Sequence, residues 1–133
     1  MDCLFCAIIA GEIPSRQVYA DEAAVAFLDI SPWHAGHTLV VPRRHVVDAL
    51  SQPEALSEIA PVINVTARLL TERLGAAGMN ILINSGAVSG QEVFHLHAHL
   101  IPRYPERGGM AALMDREPGI DLDAVHQRIV GQR

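Results

Sequence analysis

Apolar residues recur every three or four positions between residues 51 and 75, and this spacing predicts one amphipathic α-helix. We expect the helix to begin at Ser51, where Glu54 completes a capping box, and to end at Gly75. Its predicted apolar stripe comprises Leu56, Ile59, Ala60, Ile63, Ala67, Leu70 and Leu74.

Shorter stretches carry the alternating or β-branched apolar pattern that is typical of strands. We expect strands over residues 17–19, 25–29, 37–42, 80–84 and 92–101. The first two flank a charged turn and therefore predict an antiparallel hairpin. Near the end of the chain, Asp121 can cap a short helix whose apolar face holds Leu122, Val125 and Ile129. Together these elements predict an α+β domain with a mainly antiparallel five-stranded sheet, one long helix and one short C-terminal helix.

The composition narrows the class of protein. With 133 residues, 50% of them hydrophobic and 19% charged, the chain has the length and make-up of one globular domain. A net charge of −5 disfavours binding to a nucleic-acid backbone, and no apolar run approaches the ~20 residues of a membrane span. The first residues, Met1-Asp2-Cys3, lack the positive charge that opens a signal peptide. We therefore expect a cytoplasmic protein that binds neither nucleic acid nor membrane.

Three histidines, His95, His97 and His99, alternate with apolar residues in the last predicted strand. Because side chains alternate between the faces of a strand, the three imidazoles should share one face, ~7 Å apart. The opposite face, which can pack on the long helix, would hold Phe94, Leu96, Ala98 and Leu100. Such a row of histidines fits a solvated strand face, a metal site or a catalytic nucleophile with an orienting group and an acid beside it. The spacing alone does not distinguish the metal site from the catalytic nucleophile.

The segment before these histidines, residues 84–93, is rich in small residues. Asn84 and Gln91 supply amide donors, and the glycines expose backbone N–H groups that suit phosphate oxygens. Beside three histidines, this loop favours phosphoryl or nucleotidyl chemistry over a plain metal cage.

The only cysteines, Cys3 and Cys6, have a spacing that is common among zinc ligands. Two further ligands would have to come from histidine, aspartate or glutamate. The alternative is a pair of free buried thiols that pack as small hydrophobic groups. A redox role is less favoured, because no thioredoxin-like context surrounds the pair.

The segment from Gly90 to Ile101 reads Gly-Gln-x-Val-x-His-x-His-x-His-Leu-Ile, which resembles the signature of the histidine triad (HIT) family. Three other segments, residues 5–14, 26–32 and 36–42, resemble the Hint-like branch of that family. The resemblance covers residues 3–104 and implies a single HIT domain over 1–133, with a C-terminal extension at 105–133. Family members are nucleotide-binding hydrolases and transferases, usually homodimers whose sheets join across the dimer.

The resemblance implies that His97 attacks the α-phosphorus of a purine nucleoside phosphoramidate or a related adenylyl compound, and that water then releases the nucleoside monophosphate. His99 would contact the phosphate and help the leaving group to protonate. Backbone near His95 would hold the tautomer of His97, and His37 would lie beside the triad. Asp29 would accept from the ribose hydroxyls. The remaining implied contacts are to the phosphate, from Asn84, Gly90, Gln91 and Val93, and to the base, from Phe5, Ile8, Phe27, Leu28 and Ile30.

In bacterial relatives with the N-terminal Cys-x-x-Cys, a structural zinc ion is bound with two histidines. Here the implied ligands are Cys3, Cys6, His45 and His95. The catalytic chemistry itself would need no metal.

Several of these residues also have an ordinary structural explanation. Without the resemblance, the apolar residues of the base pocket would be plain core, His37 could be a core histidine and Asp29 could shape a turn. His34, beside Trp33, is expected on the loop surface, and His126 is given no role.

One residue departs from the family pattern. Glu92 stands where related sequences often carry a small hydroxyl residue, and a carboxylate near bound phosphate would repel it. Its strand parity, opposite to that of the histidines, would point it away. Because of Glu92, a weakly active nucleotide-binding regulatory module remains an alternative function for this chain. The same residues are also compatible with a dinucleoside polyphosphate hydrolase and with a three-histidine metalloenzyme.

Overall fold

In this computed structural model, which describes residues 3–131, five antiparallel strands form one sheet in the order β1-β2-β3-β5-β4. The strands are β1 (Gln17–Ala20), β2 (Ala24–Leu28), β3 (Thr38–Pro42), β4 (Gly78–Leu82) and β5 (Ala98–Arg103). The predicted fold class and the hairpin of β1 and β2 are confirmed. Asp21 closes the hairpin because its carboxylate accepts the backbone N–H groups of Ala23 and Ala24. Met1 and Asp2, which contributed to the expectation about a signal peptide, lie outside the described residues.

The long helix α2 spans Ala55–Leu74 and begins later than predicted. Glu54 is its N-cap and makes no side-chain cap bond, so the predicted capping box with Ser51 is wrong. The Asp48 carboxylate accepts the backbone N–H groups of Leu50 and Ser51, and such local bonds compete with a helical turn. Gly75 ends the helix as predicted, with φ +70° in the left-handed region.

The buried face of α2 is rotated relative to the predicted stripe. Its buried residues are Ala55, Ile59, Val62, Thr66, Leu70 and Leu74. Leu56 and Ala60 are exposed, so the prediction is wrong for these two residues. Ile63 and Ala67 are partly buried against the same core. The apolar stripe in the sequence is wider than the contact with the sheet, which leaves one flank of it to solvent.

A short helix that the sequence pattern did not predict, α1 (Leu4–Ile9), precedes the sheet. Six residues are too few to show a helical period, which is why this segment reads only as an apolar run. The helix places Phe5 in a small core on the sheet face opposite to α2. The strand residues of this small core are Val25, Phe27, Leu39 and Val41.

The histidine segment leaves the sheet earlier than predicted. β5 begins at Ala98, and residues 93–97 are not strand. The N–H of Leu96 donates to the carbonyl of Val46, which lies outside the strands. The alternation persists at Leu96, Ala98 and Leu100, which pack in the α2 core. Phe94 precedes this stretch and does not join them. It is 48% exposed, so its predicted place in the core is wrong.

The C-terminal extension ends in α3 (Leu122–Val130), which contacts α2 and the edge strand β1. The Asp121 carboxylate accepts the N–H of Ala124, which confirms the predicted cap. Buried Arg103 anchors the start of the extension, since its guanidinium donates to Asn80 and to the carbonyls of Arg107 and Gly109. Within residues 3–131, no helix combines the length and the apolarity that crossing a bilayer requires.

Candidate functional site

Antiparallel pairing of β3 with β5 brings two histidines together. His37 immediately precedes β3, and His99 is the second residue of β5, opposite Leu39 in the register. The Nε2 atom of His37 lies 2.9 Å from the Nδ1 atom of His99. His37 thus lies beside His99, the last histidine of the motif.

The hydrogen-bond partners determine which nitrogen of each ring carries the proton. The backbone N–H of Trp33 donates to Nδ1 of His37 at 3.0 Å, so the proton of neutral His37 is on Nε2. His37 therefore donates to Nδ1 of His99, and neutral His99 carries its own proton on Nε2. Burial lowers the pKa of both histidines to about 4, against the opposing effect of the nearby Asp29 carboxylate. Both rings are neutral at pH 7.

His97 has the opposite tautomer. Its Nδ1 lies 2.9 Å from the carbonyl oxygen of His95, to which it donates, so Nε2 keeps a free lone pair. Burial lowers the pKa of His97, which favours the neutral ring. Phe5 meets the ring edge-to-face at 5.1 Å between centroids and restricts its orientation. A held, neutral imidazole with one free nitrogen can act as a nucleophile.

Two other side chains complete this cluster. One Asp29 oxygen accepts the N–H of Ser31, and the other lies 3.6 Å from Nε2 of His37. The Trp33 ring lies parallel to His99, with centroids 6.1 Å apart. Trp33 could not be identified from the sequence, because only the folded loop reveals the role of its backbone N–H.

Asp29, His37 and His99 lie close enough to share a metal ion, but the tautomers favour a hydrogen-bonded relay. A metal on Nε2 of His37 would require the proton on Nδ1, where the N–H of Trp33 already donates. Among the described residues, no set of close ligand atoms combines His95, His97 and His99. The structure therefore favours the catalytic interpretation over a three-histidine metal cage.

A second cluster brings together the four predicted zinc ligands, Cys3, Cys6, His45 and His95. The Nδ1 atom of His95 lies 3.4 Å from the Cys3 sulfur and 3.6 Å from the Cys6 sulfur. The Nδ1 atom of His45 lies 3.4 Å from the Cys6 sulfur. Zn–S bonds of ~2.3 Å and Zn–N bonds of ~2.0–2.1 Å, at tetrahedral angles, separate sulfur from nitrogen by ~3.6 Å. The spacing of this group therefore fits a tetrahedral metal ion.

The protonation pattern of this second cluster also suits a metal. Nε2 of His95 lies 2.8 Å from the carbonyl of Pro42, to which it donates, and Nδ1 therefore turns a lone pair to the sulfurs. The N–H of Cys6 donates to the Cys3 sulfur, a contact that stabilises negative charge there. Burial, then the hydrogen bond with Cys3, raises the pKa of the Cys6 thiol, so metal binding has to displace a proton.

The loop that was predicted to hold phosphate is ordered by its own glutamine. Gln91 is buried, its side-chain oxygen accepts the N–H of Gly86, and its amide donates to the carbonyls of Val47 and Val93. Gly90 has φ +114°, and a Cβ there would lie 3.3 Å from the Asn84 amide. The structure thus brings Asn84 against Gly90 and uses the Gln91 side chain to hold the loop.

The predicted base-pocket residues separate into three environments. Phe5 and Phe27 are buried in the small core, with half-buried Ile8 against them. Leu28 lies on the other face, in the α2 core, so its side chain is not brought to the histidines. Ile30 is 77% exposed.

The structure also gives the exposure of Glu92 and His34, which the sequence predicted from their neighbours. Glu92 is exposed while His95 and His97 are buried, although the segment that holds these residues is not strand and strand parity is therefore not the cause. His34 is fully buried, with Nε2 3.1 and 2.9 Å from the carbonyls of Ala112 and Leu113. Its predicted place on the loop surface is wrong, because the C-terminal extension covers it.

Comparison with known proteins agrees with this architecture. The HIT domain family matches residues 10–106. An uncharacterised HIT-like protein of Methanocaldococcus jannaschii is 45% identical over 130 residues, and the match covers 97% of this chain and 99% of that protein. The adenylylsulfatase HINT3 of Arabidopsis thaliana is 34% identical, and the match covers 97% of this chain and 66% of HINT3.

Solved structures extend the comparison to the fold. A zinc-bound histidine triad family protein of Mycobacterium smegmatis is 39% identical, with a TM-score of 0.84, and the match covers 98% of this chain and 92% of that one. The match to the HIT domain spans the five strands and all three histidines of the motif. The chain therefore belongs to the histidine triad (HIT) family.

Proposed function

We propose that this protein is a nucleotidyl hydrolase or transferase that cleaves purine nucleoside phosphoramidates or adenylyl conjugates to AMP. The observation that carries the proposal is the hydrogen bond from Nδ1 of His97 to the carbonyl of His95, which leaves Nε2 unprotonated. Membership of the HIT family supports a nucleotide-binding hydrolase.

In the first step, Nε2 of His97 attacks the α-phosphorus, a P–N bond to the histidine forms, and the bond from phosphorus to the leaving group breaks. The new imidazolium keeps its Nδ1–H on the carbonyl of His95. In the second step, the oxygen of water attacks phosphorus, the P–N bond to His97 breaks and AMP leaves. One proton of the water goes to solvent, which replaces the proton that an amine leaving group takes from solvent in the first step.

His99 acts on the leaving group. Its ring centroid lies 5.0 Å from that of His97, so the two rings are neighbours and a group bound to His97 would lie close to His99. An amine needs a proton to depart, and a hydrogen bond from the Nε2–H of His99 stabilises the developing charge on its nitrogen. His37 orients the ring through its bond to Nδ1.

The nucleotide would lie over the two clusters. Asp29 accepts from the ribose hydroxyls, while Asn84, Gly90 and the backbone near Gln91 and Val93 contact the phosphate. Half-buried Ile8 and exposed Ile30 have side-chain surface left for the base, whereas Phe5 and Phe27 support these contacts from the small core. An apolar surface of this kind accepts either purine.

A structural zinc ion is the proposed ligand of Cys3, Cys6, His45 and His95. The fit of their spacing to tetrahedral geometry and the zinc-bound relative of M. smegmatis support this assignment. When bound, zinc would supply a cross-link between α1, the end of β3 and the histidine segment. His95 would then be held rigidly, and with it the carbonyl that orients His97.

A homodimer is proposed through the free edge of the sheet. The β1 edge is covered by α3, where Nε2 of His126 lies 2.8 Å from the carbonyl of Gln17 and Arg16 pairs with Asp123. The β4 edge carries Ile81, which is 55% exposed. Pairing of β4 with its copy would join the two sheets. A cytoplasmic location stays a prediction.

Adenylylsulfate is a second candidate substrate, favoured by the 34% identity to the adenylylsulfatase HINT3. A dinucleoside polyphosphate hydrolase would use the same nucleophile with another leaving group. A nucleotide-binding module with weak turnover is less favoured, because Glu92, the residue that could repel bound phosphate, is exposed.

The test measures AMP release from adenosine 5′-phosphoramidate, adenylyl-lysine and adenylylsulfate, in the wild type and in His97→Asn. We expect release by the wild type and a loss of at least ~10³-fold in the variant, since the nucleophile is removed. AMP binding without release from any substrate would favour the binding module. Equal release by both proteins would exclude His97 as the nucleophile.

A further inference from the structure

The C-terminal extension and the preceding residue, Tyr104, bind the loop of residues 31–36 that leads to His37. The contact consists of hydrogen bonds from several segments of the extension. The Tyr104 hydroxyl donates to the Ala35 carbonyl at 2.8 Å, and the Ala35 N–H donates to the Glu117 carboxylate at 3.0 Å. The backbone N–H of Glu117 donates to the Trp33 carbonyl at 2.8 Å, and Arg116 donates to the Pro32 carbonyl at 3.1 Å. Buried His34 contacts the carbonyls of Ala112 and Leu113.

Ala35 borders open space between two buried neighbours, His34 and Gly36. It lines a cleft of about 430 Å³ together with Tyr104 and Glu117. Both its carbonyl and its N–H are bound across the edge of this cleft. Burial, then the neighbouring Glu117 carboxylate, raises the pKa of Tyr104 to about 12, which keeps its hydroxyl a donor.

Trp33 connects these hydrogen bonds to the histidines. Its carbonyl accepts the backbone N–H of Glu117, and its own N–H donates to Nδ1 of His37. The Glu117 carboxylate holds the same loop two residues further on, at the Ala35 N–H. Without the bond from Trp33 to His37, His37 is free to carry its proton on Nδ1. The Nε2 atom of His37 would then accept from His99, which would hold its proton on Nδ1 and lose it from Nε2.

We propose that Glu117 and Tyr104 are positioning residues that keep the proton of His99 on Nε2, through Trp33 and His37. This inference rests on the proposed function in one respect, the role of the His99 Nε2–H at the leaving group. It assigns the C-terminal extension a part in catalysis although neither residue touches the triad.

The leaving group makes the proposal testable. An amine leaves with a proton, whereas sulfate is a weak base and leaves without one. Glu117→Ala should therefore lower kcat for adenosine 5′-phosphoramidate by about tenfold or more, within the range of a general-acid contribution, and change kcat for adenylylsulfate by less than about threefold. Glu117→Gln keeps an oxygen to accept the Ala35 N–H and should restore the wild-type ratio. Tyr104→Phe removes the other contact and should act in the same direction as Glu117→Ala.

Glu106→Ala is the matched control, because Glu106 lines the same cleft and its side chain has no bond to the loop among the contacts named above. We expect it to leave the ratio of the two kcat values unchanged. Equal losses on both substrates in Glu117→Ala, or none on either, would overturn the proposal. Should Glu117→Ala fail to fold, Tyr104→Phe and Glu117→Gln decide between the same outcomes.

A second measurement needs no turnover. ¹⁵N-detected NMR of the substrate-free protein reports which ring nitrogen carries the proton in each histidine. In the wild type we expect Nε2–H at both His37 and His99, and in Glu117→Ala a mixture with Nδ1–H. Unchanged tautomers in Glu117→Ala and in Tyr104→Phe would overturn the positioning role. If the wild type cleaves no substrate, the proposed function fails, and the tautomers still decide the positioning role by themselves.

Discussion

Nε2 of His37 donates to Nδ1 of His99 across 2.9 Å, and this one bond determines where His99 carries its proton. The two residues are 62 positions apart and meet because β3 pairs with β5. Because His37 is buried, His99 is half-buried and both rings are neutral, the pair has consequences for stability as well as for chemistry.

Stability should fall as the pH falls from about 6.5 towards 4. The unfolded chain protonates His37 and His99 near the ordinary value of 6.5, whereas the folded protein protonates them only near a pKa of about 4. In this window the unfolded state binds more protons and is favoured. Urea unfolding at pH 7 and pH 5 measures the drop, and His37→Asn should make it smaller. A drop that His37→Asn leaves unchanged would contradict the assignment.

Removal of either cysteine should remove the metal. Cys3→Ser and Cys6→Ser each take one ligand from the tetrahedral group, so elemental analysis should fall from about one zinc per chain to near zero. The melting temperature should fall with it. His97→Asn is the control, since His97 has no atom in the group and should retain zinc. Loss of zinc in the control but not in the cysteine variants would place the metal elsewhere.

Gly90→Ala should destabilise the loop beside the histidines. Its φ of +114° is unfavourable for a residue with a Cβ, and that Cβ would press on the Asn84 amide. We expect a loss of about 1–3 kcal/mol in the free energy of unfolding, measured with urea. Gly78→Ala is the matched control, because Gly78 lies in β4 without a positive φ and a Cβ there meets only ordinary contact. Equal losses in both variants would show that the conformation of Gly90 is not the cause.

A charge on the β4 edge should break the proposed dimer. Ile81→Arg places a charged side chain where the exposed isoleucine would face its copy, and light scattering should then give the mass of one chain. Leu50→Arg, at a residue that is 82% exposed and lies before α2, should keep the wild-type mass. A wild-type protein that already has the mass of one chain would refute the dimer.

Local patterns were sufficient for much of the architecture. The hairpin, the long helix and the Asp121 cap all depend on residues within a few positions of one another. The errors also have local causes. The capping box failed because the Asp48 carboxylate accepts the backbone N–H groups of Leu50 and Ser51. Phe94 is exposed because it lies before β5 begins.

By itself, the sequence determined the kinds of chemistry available, since the alternation of His95, His97 and His99 and the Cys3–Cys6 spacing are properties of neighbouring residues. Only the tertiary structure decided how they are used. It separated His95 from His97 and His99, placed His95 with the cysteines and gave Trp33 and Glu117 their contacts. Hydrogen bonds between distant segments depend on the register of the sheet and on the path of the extension, and neither is encoded in a local period.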